Sequence, residues 1–181
     1  RTNNRGTING NYVDNSFIEW ANEHDQAPEF ASEFSFSQLS ITNNTFLASH
    51  VASWFNFIVV KPHGAGHFLN GLTVTGNSFR IIGDVTERVE GIDTSFADLD
   101  FNRFANITFR DNMFNNVAQP VSSPVTIEHR EASPSQAWVV DAGPKLPFNG
   151  WAQTVEAVVA AGPLRRGNGS VFYGAPYYQT K

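Results

Sequence analysis

Apolar and polar positions alternate along the first two thirds of the chain in short runs. Leu39-x-Ile41, Leu72-x-Val74 and Ile107-x-Phe109 each place two apolar side chains two residues apart. That period predicts short strands with one face turned inward. Each run leads into a hexapeptide of one design: Ile41-Thr42-Asn43-Asn44-Thr45-Phe46, Val74-Thr75-Gly76-Asn77-Ser78-Phe79 and Phe109-Arg110-Asp111-Asn112-Met113-Phe114. A fourth window, Tyr12-Val13-Asp14-Asn15-Ser16-Phe17, fits the same pattern. The recurring Asn residues stand at 15, 44, 77 and 112, separated by 29, 33 and 35 residues. Asp, Asn or Gly before each one suits the left-handed backbone of a sharp corner. Stacked units would place Asn over Asn in an amide ladder, and Phe17, Phe46, Phe79 and Phe114 in one buried column.

One hexapeptide returning at about 30 residues is the mark of a solenoid. The alternative is an antiparallel sandwich with Asn-rich turns, which would put turn signals every 8–12 residues or so. Composition divides the chain further. Sixteen of 18 Asn and 14 of 16 Phe precede position 120, whereas seven of nine Pro lie from Pro120 onward. Gln119-Pro120-Val121-Ser122-Ser123-Pro124 therefore reads as a boundary between a body, 1–120, and a β-rich segment, 125–181. In the second segment 137–141, 153–160 and 170–173 are strand candidates, with a short helix the alternative for 153–160, predicting a small antiparallel cap on the open end of the solenoid.

The repeated windows, over about residues 7–118, resemble coils of the right-handed parallel β-helix of the pectate-lyase-like superfamily. The resemblance implies an all-β chain whose coils are shorter than the observed spacing. Each repeat should then carry a looped-out insertion, with Glu19 to Glu33, Pro62 to Asn70 and Asp84 to Glu90 as the candidates. Phage tailspikes and fibres belong to this superfamily, as do pectate lyases, polygalacturonases and epimerases. The body would correspond to the C-terminal coils of a longer solenoid, and the opening Arg1 fits a processed chain or a piece of one.

Charge and cysteine content narrow the chemistry. With 12 Lys+Arg against 17 Asp+Glu the net charge is −5, so no nucleic-acid partner is expected. The absence of Cys excludes disulfides, thiol chemistry and Cys-ligated zinc. No run of 18 apolar residues and no charged-then-apolar leader is present, so neither membrane insertion nor a signal peptide is expected.

Four groups of residues carry candidate chemistry. Glu19, Glu23, His24, Asp25, Glu29 and Glu33 form an acidic loop whose spacing departs from that of calcium loops. It reads as a solvated insertion. Asp98, Asp100 and Arg103 are the catalytic candidates, because a strand through Leu99 would show both acids on one face. His63-Gly64-Ala65-Gly66-His67 is a glycine-opened, exposed loop. His63 and His67, with Trp54, are the candidate sugar contacts. Glu128-His129-Arg130-Glu131 would bridge body and cap by ion pairs. No metal site and no cofactor are expected.

The resemblance then implies two functional readings. The first is a structural, receptor-binding segment of a phage-like fibre or spike, homotrimeric, extracellular or on a virus-like particle, which binds cell-surface polysaccharide. The second is an enzyme, a polysaccharide lyase, glycoside hydrolase or epimerase. The Asn-Thr-Asp and Asp-Asp segments of polygalacturonases and the Arg motif of pectate lyases are missing. The first reading is therefore preferred.

Overall fold

The computed structural model describes residues 4–32, 35–131, 133 and 135–180. Its body is a parallel β-solenoid of about three turns. The first coil consists of β1 (Asn4–Asn9), β2 (Tyr12–Asp14) and β3 (Ile18–Ala21). The second repeats the order with β4 (Phe36–Thr42), β5 (Thr45–Ser49) and β6 (Ile58–Lys61). The third has β7 (Leu69–Thr75), β8 (Ser78–Ile82) and β9 (Glu90–Ile92), and a fourth begins with β10 (Ala105–Arg110) and β11 (Met113–Asn115). Like strands pair in parallel, giving sheets ordered β1-β4-β7-β10, β2-β5-β8-β11 and β3-β6-β9.

The register shows why the pattern is legible. Ile8, Ile41, Val74 and Phe109 lie one above another, and so do Gly6, Leu39, Leu72 and Ile107. These are the inward positions, and their removal from water drives the coils together. Between them Arg5, Gln38, Gly71 and Asn106 are skipped by the pairing, each with φ between 56° and 83°. The skipped residue is a left-handed bulge repeated in every coil.

The ladder of amides is present, with one rung reassigned. Asn11, not Asn15, is the first rung. Its main-chain and side-chain N–H groups donate to Asn44 Oδ1 at 2.9 and 3.0 Å. Asn44 donates likewise to Asn77 Oδ1, and Asn77 to Asn112 Oδ1, all at 2.9–3.0 Å. The spare side-chain N–H of each lower rung reaches a carbonyl in the previous coil, Ile8, Ile41 or Val74. The decisive feature is the left-handed residue before the rung: Gly10, Asn43, Gly76 and Asp111 all have φ between 54° and 71°. Asn15 is itself left-handed and directly follows β2, as the left-handed His50, Gly83 and Asn116 directly follow β5, β8 and β11. The core column shifts with the rung. Phe46 stacks on Phe79 at 4.9 Å and Phe79 on Phe114 at 5.7 Å, but Val13 occupies the place expected of Phe17. Phe17 is 39% exposed and meets Phe55 edge-on.

The insertions fall after the third strand of each coil and stack on one another. Phe30 packs edge-on against Phe68, and Arg103 lies over both rings at 4.5 and 3.8 Å. His63 to His67 is not the exposed, flexible loop expected from its glycines. A Cβ on Gly64 would lie 2.1 Å from the Pro28 carbonyl oxygen, so glycine here permits the close approach of two loops. The third expected insertion, Asp84 to Glu90, instead precedes its strand, like residues 50–57 in the coil above.

At the downstream end, Ser123 pairs antiparallel with Phe109 on β10. Two 3₁₀ turns, Gly143–Lys145 and Pro147–Asn149, then carry Phe148 beneath Phe109, where it is buried. Among the described residues the expected antiparallel cap sheet does not form: every sheet is parallel, and 125–181 hold a single antiparallel bridge, Arg165 to Val171. The strand candidates there carry paired rather than alternating valines, Val139-Val140 and Val158-Val159, and five prolines from Pro134 to Pro176 interrupt them. His129 pairs with Glu131 at 2.6 Å, so among the described residues that cluster closes on itself and shows no ion pair to the body.

Candidate binding cleft

Where the stacking ends, the inward column of the third sheet changes character. Ile18, Ile58 and Glu90 are register partners, so a carboxylate occupies a core position. Glu90 is 1% exposed. Its Oε1 accepts from Arg88 Nε at 2.8 Å, Arg88 Nη2 at 2.6 Å and the Phe148 amide at 3.0 Å. Its Oε2 is buried and has no hydrogen-bond partner among the described residues. Burial pushes the Glu90 carboxyl above its ordinary range, while the Arg88 guanidinium and the Phe148 amide pull it down.

Arg88 spends its remaining N–H groups on the terminal segment. Nη2 donates to the Leu146 carbonyl at 2.6 Å. Nη1 donates to Asn149 Oδ1 at 2.7 Å, and to Gln119 Oε1 and the Pro144 carbonyl at 3.3 Å each. The pair is a latch. It fixes residues 144–149 across a coil end that has no further strand to cover it.

A cleft of about 620 Å³ opens beside this latch. Its walls come from the connection before β6, from the connection before β9, from β9 and the stretch that follows it, and from the terminal segment. Trp54 and Trp151 line it and are 72% and 52% exposed. Phe55 and Phe148 give it a buried apolar lining, and Asn56, Glu87, Asp98 and Asn149 give it polar groups. Asn56 Nδ2 donates to the Arg88 carbonyl at 2.9 Å. A Cβ on Gly91 would lie 2.3 Å from Asn56 Oδ1, so the amide occupies space that a side chain at 91 would take. Exposed indole faces with amides and carboxylates are the chemistry of sugar recognition: rings stack and hydroxyls are bonded.

Compared with protein-family models, curated proteins and solved structures, the chain matches none of them. The solenoid and the cleft therefore stand on their own geometry.

Of the residues singled out from sequence, Trp54 and Asp98 line the cleft. Asp98 Oδ1 accepts from the Leu99 amide at 2.7 Å. There is no strand through Leu99. Asp100 instead caps the 3₁₀ turn Phe101–Arg103, accepting from the Asn102 amide, and Arg103 faces Phe30 and Phe68. The three catalytic candidates thus do not converge. His63 stacks on Phe96 at 4.3 Å, beyond the other end of β6 from Trp54. His67 is 2% exposed, its Nε2 2.7 Å from the Pro28 carbonyl oxygen, and burial lowers its pKa. It is a buried bonding group between loops rather than a surface contact. Glu19 lies in β3 with Lys61 3.9 Å away, and Glu33 lies outside the described residues. Among the described residues no three metal-ligating side chains gather.

Arg88, Glu90 and Asn149 were not singled out from sequence, and Trp151 stood out only as one of the aromatics of the terminal segment. A signal existed for Glu90: it stands 32 residues after Ile58, in a column that is otherwise isoleucine. Nothing local marks Trp151, which reaches the cleft through the fold of the terminal segment.

Proposed function

We propose that the chain is a structural, receptor-binding segment of a fibre or spike, extracellular or borne on a phage-like particle, that holds a cell-surface polysaccharide in the cleft between Trp54 and Trp151. The observation that carries this reading is the pair of exposed indoles lining a 620 Å³ cleft on a rigid, laddered scaffold. A scaffold of this kind costs little ordering on binding, because the walls of the cleft are held in place beforehand. The pectate-lyase-like resemblance is consistent with a sugar ligand.

The enzymatic alternative needs carboxyls that touch the scissile bond. Glu90 is the cleft carboxyl whose proton affinity is raised, and its side chain is sealed from solvent. Glu87 and Asp98 also line the cleft, but no observed pairing across it divides acid and base roles between them, so binding is the preferred reading.

The expected homotrimer draws support from the terminal segment. Phe172, Tyr173, Tyr177 and Tyr178 are all exposed, and a lone chain gains nothing by presenting four aromatics to water. Removal of residues 155–181 spares the latch and should convert a trimer to a monomer in sedimentation. A monomeric intact chain at high concentration would refute the assembly.

Polysaccharide binding is tested by tryptophan fluorescence on titration with a panel of cell-surface glycans. Trp54→Ala and Trp151→Ala should each weaken binding about tenfold, the loss of one aromatic stacking contact, with unchanged circular dichroism. Binding that survives both substitutions would place the ligand elsewhere.

A further inference from the structure

Among the described residues the cleft contains carboxylates but no available cation, and Arg88 is the one basic residue lining it. Its five N–H groups face six acceptor contacts, all within the protein: Glu90 Oε1 twice, Gln119 Oε1, Asn149 Oδ1 and the carbonyls of Pro144 and Leu146. A ligand anion would find no guanidinium N–H to take. It would instead meet Glu87 and Asp98, both exposed in the same lining.

We infer that the cleft selects uncharged, hydroxyl-rich glycans and turns away uronates and other anionic sugars. This rests on the polysaccharide-binding reading above and names the class of sugar it takes. A carboxylate carried into a partly dehydrated cleft loses hydration and needs a charged or N–H partner in exchange. Two fixed negative charges in the lining make the exchange worse. A neutral sugar meets no such penalty. Its hydroxyls donate to Glu87 and Asp98, which are acceptors only, and accept from the amides of Asn56 and Asn149. Its ring faces stack on Trp54 and Trp151.

The test uses matched polymers: β-1,4-mannan oligomers against β-1,4-mannuronan, β-1,4-glucan against β-1,4-glucuronan, and acidic cell-surface polysaccharides before and after chemical reduction of their carboxyls to alcohols. Calorimetry at low salt should give at least tenfold tighter binding for the uncharged member of each pair that binds. The doubly neutralised variant Glu87→Gln/Asp98→Asn should gain roughly five- to tenfold for the acidic member, a gain that fades as salt screens the charges. Acidic members that bind as tightly as their reduced forms, with binding lost in Trp54→Ala, would overturn the selectivity and leave the cleft reading intact. A variant that gains nothing for the acidic member would also overturn it, because charge would not be the cause. No binding by any glycan, charged or reduced, would refute the binding reading and this inference with it.

Discussion

Arg88→Met separates the latch from everything else in the fold. The substitution keeps a long side chain and removes the guanidinium, so Glu90 Oε1 keeps the Phe148 amide alone. The carbonyls of Pro144 and Leu146, with Asn149 Oδ1, lose a donor at the same time. Breaking a buried ion pair from one side costs about 3–5 kcal/mol, because the surviving charge is left uncompensated. The penalty should depend on pH. Burial already holds the Glu90 proton affinity above its ordinary value, and loss of Arg88 raises it further. A carboxyl whose folded pKa is raised stabilises the fold fully below its unfolded value, and that contribution is lost as pH rises through the folded pKa. Urea unfolding followed by circular dichroism should therefore show the full loss near pH 7 and a much smaller one near pH 4, roughly the unfolded Glu value. Arg88→Met/Glu90→Leu should recover most of the stability at pH 7, since an apolar pair carries no desolvation cost. A loss under about 1 kcal/mol, or one that is the same at both pH values, would refute the latch.

The core column makes a contrast that needs two variants. Phe79→Ala should cost about 3–5 kcal/mol in urea unfolding and Phe17→Ala under about 1; equal losses would return Phe17 to the stack. Gly64→Ala should destabilise sharply in the same assay, because its new Cβ meets main-chain atoms of Pro28 and Glu29 within 2.4 Å; an unchanged midpoint would mean that the two loops are not in contact. His67, its pKa lowered by burial, should contribute stability that is lost as pH falls from about 6.5 through its folded pKa. His67→Gln, monitored by thermal melting from pH 7 to pH 4.5, should abolish that slope, and a slope that persists would assign it to another group.

The body was legible because its side-chain periodicity and its repeat length agree. Alternation marked β4, β7 and β10, and the Asn-x-Phe element after each marked the same corner in three coils. In the first coil the pattern matched four residues too late. Asn15 and Phe17 satisfy a string of residue types, whereas Gly10 and Asn11 satisfy the backbone: a left-handed residue, then an amide within reach of the next coil's amide. The terminal segment was misread for the opposite reason. Its valines and aromatics favour strands individually, yet they have neither alternation nor a partner strand, and β structure needs both. The cleft was the least legible part, since Trp54, Glu90 and Trp151 are 36 and 61 residues apart in turn and meet only through the register.

The two ends of the solenoid differ, and the cleft lies at the one where the repeat is broken. At the upstream end β1 has a partner on one side only, and Ile8, Val13 and Ile18 are half-buried where their equivalents Ile41, Phe46 and Ile58 are fully buried. Among the described residues nothing continues the columns on that face, and its register is that of a further parallel coil. At the downstream end the continuation is refused three times over. Ser123 occupies the β10 edge, Phe148 fills the space beneath Phe109, and Glu90 replaces the next isoleucine. Each of these departs from the repeat, and together they create the latch. A regular coil presents the same shallow ridges wherever it is touched. A concave site requires the periodicity to fail and a non-repeating segment to be pinned at the gap. The buried ion pair does the pinning and Trp151 supplies the second wall. Local rules broken at one place and compensated nearby are what a folded sequence should show. On the binding reading proposed above, specificity rests with the few residues that leave the repeat, while the repeat itself supplies rigidity and reach.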